Sequence, residues 1–159
     1  MNKLKRIVSG GQTGADRAAL DIAIALGIAY GGWCPKGGWA EDFPDPPGLL
    51  ARYPRLKQTP SRLPGQRTKW NVRDSDATLL LAPPEGIGGS EGTRYARHVA
   101  EKLGRGWAVV TVDEDVRETR RWLEQNLRKG VLNIAGPRES EAPGLYARAC
   151  DFLARLLAG

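Results

Sequence analysis

Histidine is almost missing from this chain, with His98 the single one. That scarcity removes the usual general base and the usual zinc ligand together, so neither a Ser–His–Asp arrangement nor a histidine-rich metal centre can be assembled. Cysteine is nearly as rare. Cys34 and Cys150 stand 116 positions apart, which excludes a disulfide framework and any C-x-x-C metal spacing. No apolar run approaches the roughly 18 residues of a membrane span. The basic start, Met1–Arg6, leads into a strand rather than into the apolar core of a signal peptide. These absences point to a cytoplasmic chain with reduced thiols, no membrane partner and no metal held directly by side chains. One further absence is local: between Asp45 and Asp74 there is no acidic residue.

What is present is an ordinary globular composition, 41% hydrophobic over 159 residues, enough for one domain spanning 1–159 with a proper core. The net charge is +6, mostly arginine, a bias that a GC-rich genome produces without functional meaning. Its distribution is more telling. Arg52, Arg55, Lys57, Arg62, Arg67, Lys69 and Arg73 all fall in the acid-free stretch. A local positive field suits an anionic ligand, with RNA as the weaker rival.

Glycine is plentiful, and two clusters matter most. The first, Ile7-Val8-Ser9-Gly10-Gly11-Gln12-Thr13-Gly14-Ala15-Asp16, runs from an apolar strand through three glycines into an alanine-rich helical pattern. Glycines let backbone amides approach an anion, and a helix start offers unpaired N–H groups and the positive end of its dipole. Gly10, Gly11, Gln12, Thr13, Gly14 and Ala15 are therefore expected to bind a phosphate. Thr13 and Asp16 have capping-box spacing, which assigns Asp16 to a cap. The loop matches neither a Walker A motif nor G-x-G-x-x-G. The second cluster, Gly86-Ile87-Gly88-Gly89-Ser90-Glu91-Gly92-Thr93, follows the buried strand Ala77–Ala82 and also opens a helix.

The rest of the chain continues the alternation. Ile28–Trp33 reads as a strand, and a Pro-rich flap at about 35–65 follows, holding seven of the eleven prolines. Leu49, Leu50, Tyr53 and Leu56 give that flap enough apolar anchors to be packed. Gln66–Ser75 is expected to be a short helix with Trp70 on its buried side. Its Arg67, Asn71 and Asp74 share a face, which either meets a ligand or is simply solvated. Trp107–Val112 and Val131–Ala135 are strands, and helices cover Glu114–Arg128 and the C-terminal stretch around Leu145–Leu156. Five strand–helix units predict an α/β fold: a mainly parallel sheet of five or more strands, wrapped on both faces.

Ligands of such sheets bind beyond the carboxyl ends of the strands. The exits expected there carry Gly10–Asp16, Lys36, then Gly88, Gly89, Ser90, Glu91, Gly92 and Thr93, and finally Gly136, Arg138, Glu139 and Ser140. Paired glycine loops with Lys36 and Arg138 on one rim favour a small phosphorylated ligand. For proton transfer only carboxylates remain, with Glu91 and Glu139 as the candidates for a base or a sugar contact. Cys34 has no histidine to activate it, although it sits near the rim.

Four stretches resemble a bacterial family labelled "putative molybdenum carrier". They are Gly10-Gly11-Gln12-Thr13-Gly14-Ala15-Asp16, Trp33-Cys34-Pro35-Lys36-Gly37, Trp70-Asn71-Val72-Arg73-Asp74-Ser75-Asp76 and Asn133-Ile134-Ala135-Gly136-Pro137-Arg138-Glu139-Ser140. The resemblance covers nearly the whole chain. It implies a Rossmann-like three-layer sandwich, related to the molybdenum cofactor carrier protein and the Lonely Guy phosphoribohydrolases. It further implies a dimer or tetramer and a nucleotide or pterin ligand such as the molybdenum cofactor. The phosphoribohydrolases use P-G-G-x-G-T-x-x-E. Aligned on Gly92-Thr93, this chain has one residue too many before that pair, and the signature glutamate falls on Ala96. The expectation is therefore a binding protein more than an enzyme, with nucleotide N-glycoside hydrolysis as the alternative.

Overall fold

The computed structural model describes residues 3–158. Met1 and Asn2, part of the basic start, lie outside the described residues, as does Gly159. In chain order the elements begin with β1 (Arg6–Val8), α1 (Ala15–Ala25), β2 (Ala29–Gly31), β3 (Trp33–Cys34), α2 (Leu49–Arg52), β4 (Lys57–Gln58) and α3 (Pro64–Arg73). They continue with β5 (Ala77–Ala82), α4 (Glu91–Lys102), β6 (Gly106–Thr111), α5 (Val116–Asn126), β7 (Val131–Ala135) and α6 (Leu145–Leu157).

The main sheet is parallel throughout, in the order β2-β1-β7-β5-β6. Every residue of β5 is buried, because this central strand is covered on both faces. Leu79 and Leu81 point into a core shared with α1, α5 and α6. Leu80 points the other way, against Val72 of α3 and Ala96, Val99 and Ala100 of α4. The result is the three-layer α/β architecture. Small side chains bring α1 close to its neighbours, since Ala15, Ala18, Ala19 and Ala23 are all fully buried.

The position of β7 decides where a ligand can sit. The last strand in sequence lies in the middle of the sheet, between β1 and β5. Counted from β7 as strand one, the sheet reads 3-2-1-4-5, the doubly wound order of a Rossmann-like fold. Strand order reverses between β7 and β5, and the connections leaving their carboxyl ends part there to leave a crevice.

The second expected strand is split. Gly32, at φ 120°, turns the chain out of the main sheet, and a Cβ there would stand 2.6 Å from the Ser9 carbonyl oxygen. Trp33 and Cys34 then pair with Lys57 and Gln58 in a separate two-stranded sheet. This small sheet underlies the flap, whose Leu49, Tyr53 and Leu56 pack with Leu20, Cys34 and Ala40 into a core of their own. Arg17 fixes the flap to α1 through two bonds to the Asp42 carboxylate, 2.8 Å each, with its guanidinium 5.2 Å over the Phe43 ring. No helix among the described residues is long and apolar enough to cross a membrane.

Candidate ligand-binding site

A cleft of about 760 Å³ opens in the β7/β5 crevice. Ala135 and Gly136 line it where β7 ends, and the first turns of α4 from Gly89 to Ala96 line it after β5. Gln12 and Asp16 reach it from the first glycine loop. Trp39 of the flap and Pro64, Gly65, Arg67 and Thr68 of α3 complete it, with Arg138 and Glu141 also in its wall.

The loop before α4 is open. A Cβ at Gly88, Gly89 or Gly92 would meet no atom within 4 Å. Helix α4 begins without a side-chain cap. Ser90, which stands at the capping position, instead shares a 2.6 Å hydrogen bond with the Thr93 hydroxyl and donates to Glu141 at 3.1 Å. Both hydroxyls are buried. The first-turn amides of α4, with the positive end of its dipole, thus face the cleft uncapped, which is the arrangement that stabilises an anion.

In the loop before α1, three of the amides expected to meet a phosphate are bonded within the protein, although helix α1, like α4, has no side-chain cap and Thr13 and Gly14 line a separate hollow of about 370 Å³. The Gly11 amide donates to Ser9 Oγ at 3.2 Å, the Thr13 amide to Gln12 Oε1 at 3.0 Å and the Ala15 amide to the Pro137 carbonyl at 3.3 Å. Amides already bonded cannot cradle a phosphate. The capping box does not form either. The Thr13 hydroxyl donates to Glu41 and accepts the Glu139 amide at 3.0 Å, while Ser140 gives Glu41 its hydroxyl at 2.6 Å and its amide at 3.3 Å. Glu41 therefore knots the first loop, the last loop and the flap together.

Glycine is needed here for packing. Gly14 has φ 78° with Pro137 and Glu139 backbone against its α-carbon, and a Cβ at Gly136 would sit 2.6 Å from that of Ala15. Gly10 lies against the Arg67 side chain and Gly11 against Leu49. Of the residues expected to bind from this loop, only Gln12 lines the cleft; Gly10, Gly11, Thr13, Gly14 and Ala15 do not.

Asp16 is not a cap. Its residue is 6% exposed, and burial raises its carboxyl to about 6, against the pull of Arg67 and of the backbone amides of Gln12 and Gly136. Arg67 Nη1 lies 3.9 Å from Asp16 Oδ2, is held by the Gly10 carbonyl at 2.9 Å, and its Nε donates to Thr68 at 3.2 Å. A carboxyl raised to about 6 by burial inside a cleft, beside a specific charge partner, makes Asp16 a functional candidate. The polar face of α3 is thus divided. Arg67 serves the cleft, whereas Asn71 bonds both backbone groups of Trp33 and Asp74 accepts the Trp33 indole N–H at 2.8 Å. Trp70 is half-buried, its ring 4.7 Å edge-on from that of Trp33.

The remaining expected residues separate. Gly89, Ser90, Glu91, Gly92, Thr93, Gly136 and Arg138 line the cleft, whereas Gly88, Glu139 and Ser140 do not. Glu91 is exposed at the first position of α4. Glu139 accepts the Gly144 and Tyr146 amides at 2.7 and 2.9 Å, which makes it the anchor of the α6 start. Lys36 faces a neighbouring hollow. Cys34 is fully buried, and burial pushes its thiol up to about 11, so it is no nucleophile. His98 is exposed on α4.

Residues missed from sequence are Trp39, Tyr95 and Glu141, which carry no local signal; Asp16 falls within the expected rim stretch but reads as a cap, and Arg67 reads only as part of a polar helix stripe. Among the described residues, no group of three or more His, Cys, Asp or Glu is placed to hold a metal ion.

Compared with known families, residues 7–157 match the circularly permutated YpsA SLOG family. The chain belongs to that family. The permutation is visible in the sheet itself, as the doubly wound order that starts at β7 rather than at β1. Among solved structures, the chain is similar to one described as a "Putative molybdenum carrier protein" from Syntrophus aciditrophicus, at 37% identity and a TM-score of 0.85, over 98% of this chain and 96% of that one. Comparison with curated proteins gives no match.

Proposed function

We propose that this family member is a cytoplasmic binding protein for a small phosphate-bearing ligand, a nucleotide or a pterin such as the molybdenum cofactor, held in the cleft between β7 and β5. The observation that carries this reading is the uncapped start of α4, opening with unobstructed glycines onto a cleft of about 760 Å³ at the reversal point of the sheet. The phosphate lies against the amides of Glu91, Gly92 and Thr93, with Arg138 as its side-chain cation. Trp39 and Tyr95 offer flat apolar surface to a ring, and Asp16 with Gln12 offers polar atoms to its edge.

The name of the solved relative, "Putative molybdenum carrier protein", supports a molybdenum-bearing ligand, and the molybdenum cofactor is the phosphate-bearing form that this cleft would take. The free thiols Cys34 and Cys150 agree with a reducing compartment. The family resemblance also leads us to propose a homo-oligomer, dimer or tetramer, which light scattering in solution reads directly.

Asp16 favours one second reading. A buried carboxyl near 6 beside a phosphate site has the proton affinity of a general acid, so hydrolysis of a nucleotide's N-glycosidic bond is the enzymatic alternative. Incubation with nucleoside monophosphates separates the two. Thermal stabilisation without release of free base supports the binding protein, and release that is lost in Asp16→Asn overturns it in favour of the hydrolase. No stabilisation by any phosphate ester or pterin contradicts both.

A further inference from the structure

Beside the main cleft lies a second hollow of about 360 Å³, lined by Lys36, Gly37, Trp39, Pro44, Pro46, Arg62 and Pro64. Trp39 and Pro64 belong to the walls of both cavities, so the two adjoin across one tryptophan and one proline. The hollow is built by the small two-stranded sheet. Lys36 follows β3 by two residues and Arg62 follows β4 by four, and the parallel pairing of Trp33–Cys34 with Lys57–Gln58 brings these extensions side by side. The Lys36 amide donates to the Ser61 carbonyl at 3.0 Å and the Gly37 amide to Gln58 Oε1 at 2.8 Å. Three prolines stiffen the remaining wall.

The electrostatics are one-sided. Neither Lys36 nor Arg62 forms an ion pair with a carboxylate among the described residues, and no acidic residue lines the hollow. Most other cations of this stretch are engaged elsewhere: Arg67 in the main cleft, Arg52 over the Tyr53 ring, Arg55 over the Tyr30 ring, Lys57 over the Trp33 ring and Arg73 over the Trp70 ring and beside Asp74. Two unpaired cations around a rigid concavity, separated from a first anion site by an indole, form a second anion site.

We infer that the ligand carries two separated anionic groups with a ring system between or beside them, as in a dinucleotide bearing a further phosphate on a ribose, and that Lys36 and Arg62 hold the second group while the start of α4 holds the first. This inference rests on the binding reading proposed above and specifies its ligand class. Trp39, half-buried at the junction, stacks on the ring that joins the two ends. A mononucleotide fills only the first cavity.

Amide and indole chemical shifts of isotopically labelled protein test this, first with inorganic phosphate and then with adenosine monophosphate and the dinucleotide nicotinamide adenine dinucleotide phosphate, whose ribose phosphate stands apart from its pyrophosphate, as probes. Phosphate is expected to perturb two groups of signals, one at Gly89, Gly92 and Thr93 and one at Gly37 and the Trp39 indole. The K36A/R62A double variant is expected to lose the second group alone. The dinucleotide is expected to bind about tenfold tighter than the mononucleotide, because its second contact is intramolecular, and the double variant to lose that surplus. Phosphate shifts confined to the α4 group, or a dinucleotide advantage that survives in the double variant, overturn the second site and leave the first standing. Shifts at neither group overturn both readings.

Discussion

Two glycine-rich turns, each leaving a strand and opening a helix, look alike in sequence and behave as opposites in the structure. Before α1, the amides of Gly11, Thr13 and Ala15 are bonded to Ser9, Gln12 and Pro137, and the glycines are there because the Arg67 and Leu49 side chains and the Pro137 backbone leave no room for a Cβ. Before α4, Gly88, Gly89 and Gly92 face empty space; neither helix starts with a side-chain cap, so the difference lies in the room around the glycines. A glycine cluster therefore signals closeness of something, either the protein's own backbone or a ligand, and only the partner tells which. In the function proposed above, the first turn is a joint and the second a socket.

The largest effect that separates them is on folding. Gly14→Ala forces a side chain to φ 78° against Pro137 and should cost about 3 kcal/mol or more, while Gly89→Ala should stay within about 0.5 kcal/mol. Chemical denaturation of the two variants reads the difference, and equal tolerance would break the contrast.

Next comes Asp16, the residue the joint contributes to the socket. Its folded carboxyl, at about 6, lies above the unfolded value of 3.8. The folded state therefore binds the proton more tightly, and the stability this gives at low pH is lost as pH rises from about 4 to 6. At neutral pH the charged, buried group costs roughly 3 kcal/mol as an upper bound. Asp16→Asn should raise stability at pH 7.5 and flatten the decline between pH 4 and 6. An unchanged pH profile would show that Asp16 titrates normally.

These two turns also show what sequence could convey. The strands and helices were legible wherever the pattern is local: the unbroken apolar run of β5, the amphipathic repeats of α5 and α6, and the glycine that stops α1. Helix α5 starts two residues after the expected Glu114 because Asp115 accepts the Arg117 amide at 2.8 Å. The strand order was not legible, since nothing local reveals that β7 inserts between β1 and β5. Asp16 was misread for the same reason. Three residues from Thr13 it has every mark of a cap, and only Arg67 and Gly136, distant in sequence, enclose it. Thr13 and Ser140 likewise looked free for a ligand until Glu41 of the flap claimed both.

A smaller effect tests the cation of the socket. Arg138 Nε stands 3.8 and 3.9 Å from Glu41 and Glu141, and its side chain is half exposed, so it is available to a ligand. Arg138→Ala should weaken binding of a nucleoside monophosphate by roughly 1.5 kcal/mol, measured by calorimetry, and less at high salt. A loss this small or smaller from Arg55 and Lys57 combined, appearing only at low salt, would keep the flap as background field.

Smallest of all are the effects expected at Glu139 and Glu91. Glu139→Gln should cost about 1 kcal/mol of stability through the α6 start and leave ligand affinity unchanged. Glu91→Gln, exposed at the mouth of the socket, should alter stability by less than about 0.5 kcal/mol. A large affinity loss in Glu139→Gln would return the first turn to the ligand.

The central claim is that an anion sits at the start of α4, and Gly89→Asp addresses it most directly. The new side chain enters open space, so the fold is retained, and its negative charge occupies the place of the phosphate. Wild-type protein at a hundredfold excess of a nucleoside monophosphate over its Kd should gain about 2.7 kcal/mol of stability. Gly89→Asp should melt at the wild-type temperature without ligand and show no shift with it. A ligand shift in Gly89→Asp equal to that of the wild type would place the anion elsewhere and contradict the account.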